Sequence, residues 1–308
     1  DYTDPPARAL QLAQEISVAA PDIIGLQEAT LWDFTDAKGH RTYDQLALLV
    51  DDLAAAGHPY RVVAVQVLTD IPIDIPGLVS ARFTDRNAIL IRADLPPGQL
   101  DVYATGSRLY QASVPFTLPD GTTAPVPQGW MTADVRVRGA RFKFVNTHLM
   151  SVVPEPPDAL AYTTWLQTQQ ATELLGALQG TSLPIVLVGD FNSGAEFPQQ
   201  GPDKTPTAAM IAAAGYTDVW AAVKPGVLGY TWGLYREDQP YPNLIVPSSP
   251  VERIDLIFSA GVVPTSIAQT GTTIGSLGVF ASDHTGVMAD FTLDNHRPDV
   301  PVKATPRK

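Results

Sequence analysis

The sequence predicts a mixed α/β fold, and three observations support that prediction. The chain has 308 residues, of which 45% are hydrophobic and only 17% are charged, enough apolar material for a sizeable core. Apolar residues recur at helical spacing in some segments and with a period of two in others. From residue 163 onward, helix and strand patterns alternate. No repeat or linker divides the chain, so we expect one domain over residues 1–295, followed by a disordered, basic tail over residues 296–308.

The N-terminal part of the chain predicts a helix, a strand and a second helix. Asp4 is suited to cap a helix that begins with two prolines, because a missing N–H costs nothing in a first turn. Pro21 ends that helix. A short apolar strand then covers residues 23–28 and ends in an acid, and a second amphipathic helix covers residues 43–56.

The rest of the chain predicts a run of strands and then alternating elements. Strands with a period of two are expected at residues 61–68, 87–92, 100–105, 131–137 and 141–147. The last two strands are joined by a predicted hairpin turn at Gly139-Ala140. Further along, helices are expected at residues 163–178 and 207–214, and strands at residues 185–188, 254–258 and 287–293.

Composition excludes several kinds of site. The chain has no cysteine, so it holds no disulfide, zinc ribbon, iron–sulfur cluster or thiol nucleophile, and a metal would need oxygen or imidazole ligands. A net charge of -12 argues mildly against a broad nucleic-acid surface. No apolar run approaches the roughly 18 residues of a membrane span. The absence of cysteine and the acidic composition favour a secreted or periplasmic protein, with the cytoplasm as the alternative.

Polar residues stand at the ends of several apolar strands, where α/β folds place their ligands. Each has an ordinary structural explanation by itself, such as a turn, a capped loop or a satisfied core histidine. Together they supply the carboxylates, imidazoles and amide that hydrolysis of a phosphate ester with a hard cation requires. The segments are residues 26–28 (Leu-Gln-Glu), 146–149 (Asn-Thr-His-Leu), 189–192 (Gly-Asp-Phe-Asn), 253–255 (Arg-Ile-Asp) and 282–284 (Ser-Asp-His).

These motifs resemble those of the endonuclease/exonuclease/phosphatase superfamily. The resemblance is carried by residues 21–28 (Pro-Asp-Ile-Ile-Gly-Leu-Gln-Glu), 189–192 and 282–284, which stand in the family's order. It implies a four-layer α/β sandwich in which helices flank two packed mixed β-sheets. It also implies a monomeric, metal-dependent phosphoric ester hydrolase that uses Mg²⁺, with Mn²⁺ or Ca²⁺ as alternatives.

The resemblance also implies a role for each matching residue. Glu28 and Asp283 are expected at the metal, Glu28 as its principal ligand. Asp190 orients or deprotonates the attacking water, and Asn192 places a phosphate oxygen. The remaining expected roles are His284 at the same phosphate, Asp255 holding His284 by a hydrogen bond, His148 at the scissile phosphate or leaving group, and Arg86, Asn87 and Trp232 as substrate contacts.

The sequence departs from the family at its start. The family opens with a strand carrying an asparagine near the metal, whereas this chain is helical from about Pro5, so we expect that a natural N-terminal piece is missing. The remaining question is the substrate. Sparse basic residues favour a lipid-derived or small organic phosphodiester, with a DNA or RNA nuclease as the first alternative and a non-catalytic binding protein of the same fold as the second.

Two loops bear on that question. Residues 65–79 are apolar enough to form a hairpin that contacts a membrane, the alternative being a loop packed on the domain itself. Residues 150–165 directly follow His148 and contain several prolines, so we expect a stiff rim of the cleft.

Overall fold

The computed structural model describes residues 4–75, 77, 79–117, 121–153, 156–195, 205–234, 252–275 and 280–293. The predicted tail lies outside these residues. The helices are α1 (Pro5–Ala19), α2 (Gln45–Ala55), α3 (Pro157–Leu178), α4 (Thr207–Ala213) and α5 (Val219–Val223). The strands are β1 (Ile23–Leu26), β2 (Leu31–Asp36), β3 (Gly39–Asp44), β4 (Tyr60–Ile75), β5 (Val79–Arg92), β6 (Leu100–Leu109), β7 (Val114–Thr117), β8 (Thr123–Val126), β9 (Gly129–Val137), β10 (Ala140–His148), β11 (Ile185–Asp190), β12 (Thr217–Asp218), β13 (Asp255–Ala260), β14 (Val263–Thr270) and β15 (Gly286–Thr292).

Two large sheets form the centre of the molecule. In the first, the long strand β5 pairs with β4 along one edge and with β1 and then β2 along the other, and β3 pairs with β2. The second has the order β12-β13-β11-β10-β9-β6 and is mixed, because β10 and β11 are parallel while their other neighbours are antiparallel. We call them the first and the second sheet. β14 pairs with β15, and β7 with β8, in separate two-stranded ribbons.

Alternating side chains build four layers. On β5, Ile89 and Ile91 point between the sheets, whereas Ala88 and Leu90 pack against α1 and α2. On β11, Val186 faces the same central layer, whereas its neighbours pack under α3 and α4. Because strand side chains alternate between two faces, each sheet is apolar on both sides and needs a cover on each. The result is the predicted four-layer sandwich with helices outside.

The predicted strands exist, and most of them are longer than the apolar pattern indicates. The predicted strands at residues 61–68 and 87–92 are parts of β4 and β5, which form one long hairpin. Residues 65–79 therefore belong mainly to two paired strands and not to a loop packed on the domain; residues 76 and 78 lie outside the described residues. The predicted helix at residues 163–178 begins earlier, at Pro157, so it includes part of the expected rim.

Two turns differ from the prediction. The hairpin between β9 and β10 turns at Arg138 and Gly139, whose φ angles of 48° and 92° suit a tight turn of the primed type, and Ala140 already belongs to β10. The β2–β3 hairpin was not predicted, and it moves the start of the second helix from residue 43 to Gln45. None of the helices among the described residues is long and apolar enough to cross a membrane.

A buried asparagine joins the two sheets. Asn146 on β10 is completely buried, and its amide nitrogen donates to the carbonyls of Leu26 and Ala88, at 3.0 Å each. Its carbonyl oxygen accepts from the side chain of Gln27. A Cβ at Gly25 would lie 2.8 Å from the same oxygen, so β1 approaches β10 this closely only with glycine there. These contacts fix the first sheet against the second just before the predicted site residues.

We expect Asn146→Leu to lower the free energy of unfolding by about 2–4 kcal/mol, since it leaves two buried carbonyls without a donor at similar side-chain volume. Urea unfolding followed by circular dichroism measures the change. The matched control is Ser107→Ala, an exposed polar residue on β6. A loss no larger than that of the control would show that Asn146 does not hold the sheets together.

Candidate active site

The predicted polar residues meet at one end of the sandwich. His148 ends β10 and pairs with Asp190 at the end of β11, and Asp190 in turn lies opposite Asp255 at the start of β13. Glu28 follows β1, and His284 precedes β15. Apart from His148, these side chains line one cavity of about 580 Å³. Strand ends from both sheets thus place acids and imidazoles around a common space.

The cavity has an apolar part in addition to its charged part. Beyond the acids it is lined by side chains of α1, β1 and β15, among them Leu12, Ile24 and Met288. Among the described residues, β1 and β15 each have a hydrogen-bonded strand neighbour on one side only. The cavity therefore has both a charged and an apolar lining.

His284 is held by a carboxylate. Its Nδ1 lies 2.8 Å from Oδ2 of Asp255, the hydrogen bond that the sequence predicts, and its backbone N–H donates to the hydroxyl of Ser282 at 3.1 Å. Burial alone would lower the pKa of His284, but the negative charges of Asp255, Asp190 and Asp283 outweigh it and raise that pKa well above its usual value. The acids around the imidazole therefore favour its protonated form.

Asp190 is positioned by a strained turn. A Cβ at Gly189 would lie 2.0 Å from the carbonyl oxygen of Thr147, so only glycine fits there. Asn192 has a φ of 44°, its backbone N–H donates to Asp190 at 2.8 Å, and its side-chain nitrogen donates to Leu149 O at 2.9 Å and to Asp190 at 3.3 Å. Both amide hydrogens of Asn192 thus have protein acceptors, and the predicted contact to a phosphate oxygen requires one of these bonds to open.

The environment of Asp190 disfavours its charge. Burial, together with the nearby carboxylate of Asp255, raises the pKa of Asp190 well above the usual value of an aspartate, although the cationic His284 opposes the effect. A carboxylate with a raised pKa is a stronger proton acceptor once it is ionised. Asp190 therefore has the properties of a general base.

Glu28 stands on a turn fixed by an arginine. Its φ is 53°, and the next residue, Ala29, donates its N–H to the carbonyl of Arg86 at 2.8 Å. The Arg86 guanidinium donates to Ala29 O at 2.8 Å and forms an ion pair with Asp44 at 2.6 Å. Arg86 therefore holds the turn that carries Glu28, and a contact with substrate stays a prediction. Burial raises the pKa of Glu28, and the charge of Asp283 raises it further.

His148 lies on the opposite side of Asp190 from His284. It is 3% exposed, and its Nε2 is 3.7 Å from Oδ2 of Asp190. Burial lowers the pKa of His148 to about 4, although the charge of Asp85 opposes the shift, so its ring is neutral at pH 7. The pKa values of the two imidazoles of the site are therefore shifted in opposite directions.

Asp85 is a site residue that the sequence analysis missed. Burial raises its pKa, and the charges that act on it include those of His148 and Glu28. One carboxylate oxygen is buried without a hydrogen-bond partner. The available signal was its position two residues before Asn87, which puts both side chains on the same face of β5.

The two remaining predicted substrate contacts differ in position. Asn87 is completely buried, and neither polar atom of its side chain has a hydrogen-bond partner. Trp232 forms single bridges to Glu252 and to His284, so it belongs to the wall beside that histidine. Its neighbour Thr231, which was not predicted, accepts the N–H of Asp255 at 3.1 Å on its hydroxyl and thereby positions it.

The donor set suits a hard divalent cation. Among the described residues, the possible ligands that approach each other within 4.8 Å are Asp190, Asp255 and His284, but Asp255 and His284 already form a hydrogen bond with each other. Glu28 and Asp283 line the same cavity, and after burial the charge of Asp283 is the largest cause that raises the pKa of Glu28. Carboxylate oxygens are the preferred ligands of Mg²⁺ and Ca²⁺. The predicted pair therefore fits a cation better than the closer group does.

We expect Asp190→Asn to stabilise the metal-free protein at pH 8 by about 1 kcal/mol or more, because it removes a buried charge. The sign follows from the raised pKa of Asp190 in the folded state. The carboxyl group contributes its full stability below its ordinary unfolded pKa, and this contribution is lost as the pH rises through the pKa of the folded state. The gain should therefore shrink toward pH 4.5. Thermal unfolding in EDTA at both pH values measures it, with Asp51→Asn on the exposed side of α2 as control. A variant that is less stable than wild type at pH 8 would contradict this reading.

Solved structures with the same fold exist. A humanized TDP2 from D. rerio superposes with a TM-score of 0.61 at 17% identity, covering 95% of this chain and 94% of that one. An endonuclease/exonuclease/phosphatase family protein from Bacteroides thetaiotaomicron gives 0.59 at 19% identity, covering 95% and 89%. D. rerio TDP2 complexed with single strand DNA product gives 0.57 at 17% identity, covering 92% and 91%. At these identities the likeness establishes the fold alone.

The sequence itself identifies the family. No curated protein matches the chain. The model of the Endonuclease/Exonuclease/phosphatase family, by contrast, matches residues 1–284, which include every site residue described above. Members of that family are phosphoric ester hydrolases that depend on divalent metal. The chain therefore belongs to the Endonuclease/Exonuclease/phosphatase family.

Proposed function

We propose that the protein is a Mg²⁺-dependent phosphodiesterase that hydrolyses lipid-derived or small organic phosphodiesters by in-line attack of water. The observation that carries the proposal is one constellation at the strand ends. It combines the carboxylate pair Glu28 and Asp283, the buried carboxylate of Asp190, and two imidazoles whose pKa values are shifted in opposite directions, those of His148 and His284.

Glu28 and Asp283 are the residues proposed to hold the cation, with Mn²⁺ or Ca²⁺ as substitutes for Mg²⁺. Such a cation supplies Lewis-acid charge to the phosphoryl oxygens. Arg86 supports this role of Glu28 indirectly, by fixing the turn that carries it. The bonds from Gly233 N and Leu234 N to Asp283 O, at 3.1 and 3.0 Å, hold Asp283 in the same way.

Asp190 is proposed to orient the attacking water and to accept its proton. A buried carboxylate with a raised pKa suits this task at neutral pH, since it takes up a proton more readily than an exposed aspartate. The bonds from Asn192 fix the carboxylate plane. Asn192 is thus proposed to act first on Asp190, and on a phosphate oxygen only when substrate replaces one of its present acceptors.

The two histidines are proposed to act on the phosphate from different sides. His284, cationic and held by Asp255, donates from its free ring nitrogen to a phosphoryl oxygen and balances the charge that develops there. His148, neutral and next to Asp190, is assigned to the oxygen of the leaving alcohol. Asp85 is proposed to steady His148, and Trp232 and Asn87 to border the substrate.

The arginines support a substrate with little charge beyond its phosphate. Nucleic-acid binding requires cations that are available to successive phosphates. Here the described arginines are largely engaged with acids, in pairs that include Arg41–Asp36, Arg82–Asp70, Arg86–Asp44, Arg136–Asp101, Arg138–Asp22 and Arg253–Asp218. Single-stranded DNA enters the test as the competing substrate because a TDP2 structure contains such a product. A site of action outside the cytoplasm is part of the proposal, and a chain without cysteine is compatible with an oxidising compartment.

We expect Mg²⁺-dependent cleavage of bis-p-nitrophenyl phosphate, abolished by EDTA, and a turnover that falls roughly 10²–10⁴-fold in Asp190→Asn and in His284→Ala. Release of p-nitrophenol measures cleavage of this diester and of p-nitrophenyl phosphate, and gel electrophoresis measures cleavage of a single-stranded oligonucleotide. Asp51→Asn serves as the matched control and keeps wild-type turnover.

Other outcomes have definite meanings. Faster cleavage of the monoester would make the enzyme a phosphatase, and faster cleavage of the oligonucleotide would make it a nuclease. A folded protein that cleaves none of the three and shows no stabilisation by Mg²⁺ would be a binding protein. Near-normal turnover in either variant would overturn the residue roles.

A further inference from the structure

The first sheet extends beyond the catalytic residues and carries an aromatic surface there. β2, β3 and the outer parts of β4 and β5 form this extension. Register places Tyr43, Trp32, Phe83 and Ile71 in one row across it, and Phe34 and Ile73 in the next row. All six are partly exposed, and none belongs to the described core clusters. We call these six residues the aromatic platform.

The platform is ordered and one-sided. The rings of Trp32 and Phe83 are 4.6 Å apart, and those of Phe34 and Tyr43 are 5.8 Å apart. The guanidinium of Arg41 lies 4.8 Å from the centre of the Phe34 ring. Most alternate residues of the same strands are polar and form the opposite face, among them Asp33, Thr35, Thr42, Arg82 and Thr84, although Leu31 and Pro72 on that face are apolar. An apolar face opposite a polar one needs an apolar partner.

The platform is continuous with the catalytic residues. Phe83 and Asp85 lie on the same face of β5, about 7 Å apart along the strand. Asp85 is next to the charges of His148 and Glu28. On β2, Trp32 follows Glu28 by only four residues. Because Asp85 stands on the same face of β5 as the platform, we expect a substituent of a phosphate bound beside it to extend toward the platform.

The chemistry of the platform points to a hydrocarbon chain. Stacking surfaces for nucleobases are accompanied by cations that track the backbone. Here Arg41 pairs with Asp36, Arg82 with Asp70, and Arg86 with Asp44. Aromatic and aliphatic side chains remain as the binding surface.

We propose that the aromatic platform binds the alkyl or acyl chain of the substrate, which makes a phosphodiester with a hydrocarbon substituent the preferred substrate class. This rests on the phosphodiesterase function proposed above and names its specificity surface. The occupant is the chain of the bound substrate itself, in contact with Trp32 and Phe83. It is distinct from a membrane surface on which the protein docks as a whole.

The test uses p-nitrophenyl phosphodiesters whose second ester is methyl, butyl or octyl, each below its micelle concentration. A buried methylene changes affinity by about fourfold, so partial burial of an octyl chain predicts a kcat/KM roughly 10–100 times that of the methyl ester. Trp32→Ala and Phe83→Gln should each lower this octyl-to-methyl ratio about tenfold. Because the ratio is taken within one variant, general damage to the active site cancels.

Control variants separate an effect on chain binding at the platform from a general effect on folding. Thr35→Ala lies on the same strand as Trp32 but on the polar face, and it should keep the wild-type ratio. Trp32→Phe keeps an aromatic ring at the same place and should retain most of the preference, which makes the test independent of whether Trp32→Ala folds. Thermal unfolding checks each variant.

Each other outcome overturns a defined statement. Hydrolysis of all three esters without chain preference, or a preference that survives in both platform variants, overturns the platform and leaves the phosphodiesterase intact. No hydrolysis of any ester overturns the proposed function. The platform is then tested by binding of octyl phosphate, which should change the fluorescence of wild type but not that of Trp32→Phe. Absence of a change that depends on Trp32 overturns the platform too. If only sedimentation with phosphatidylcholine vesicles depends on Trp32, the surface docks on membranes and the chain site is wrong.

Discussion

The geometry of the active site depends on the hydrogen bonds of one buried amide. Half of the site belongs to the first sheet, with Glu28 and Asp85, and the other half to the second sheet, with His148 and Asp190. Between them, Asn146 donates to carbonyls of β1 and β5 from its position on β10. Apolar packing alone lets two sheets slide, since it is not directional. A directional bond next to the site fixes the distance across which both halves act.

Charge explains why these residues need the rest of the fold. Glu28, Asp85 and Asp190 are carboxyl groups whose pKa values are raised by burial, so their ionised forms cost stability. His284, which Asp255 holds by a hydrogen bond, offsets part of this cost at Glu28 and Asp190. After this offset, the acids that line the cavity still carry an excess of negative charge. That excess favours a cation there, and the same cation is what a phosphate ester needs in order to approach.

The sequence predicted the central fold, and which polar residues meet at one end of it, because both depend on local patterns. Alternation along β10 and β11, and polar motifs at their ends, place His148 and Asp190 side by side as soon as the strands are parallel neighbours. The β2–β3 hairpin was missed, because its side chains are stabilised by cross-strand partners such as Phe83 that lie far away in sequence. Asp85 was missed for the same reason, since only folding brings it to His148. The substrate roles of Arg86 and Asn87 remain predictions.

The β2–β3 hairpin, which the sequence did not predict, changes the interpretation of the β4–β5 hairpin. Taken alone, residues 65–79 suggest a membrane contact or a packed loop, since sequence shows only that the segment is apolar. Pairing with β2 and β3 turns that hairpin into a four-stranded surface with aromatic side chains on one face only. That face is the one on which Asp85 stands, and strand alternation forbids a different assignment without a bulge in β5. The proposed specificity surface and the site residues are thus linked along one strand, because alternation places Phe83, Asp85 and Asn87 on the same face of β5.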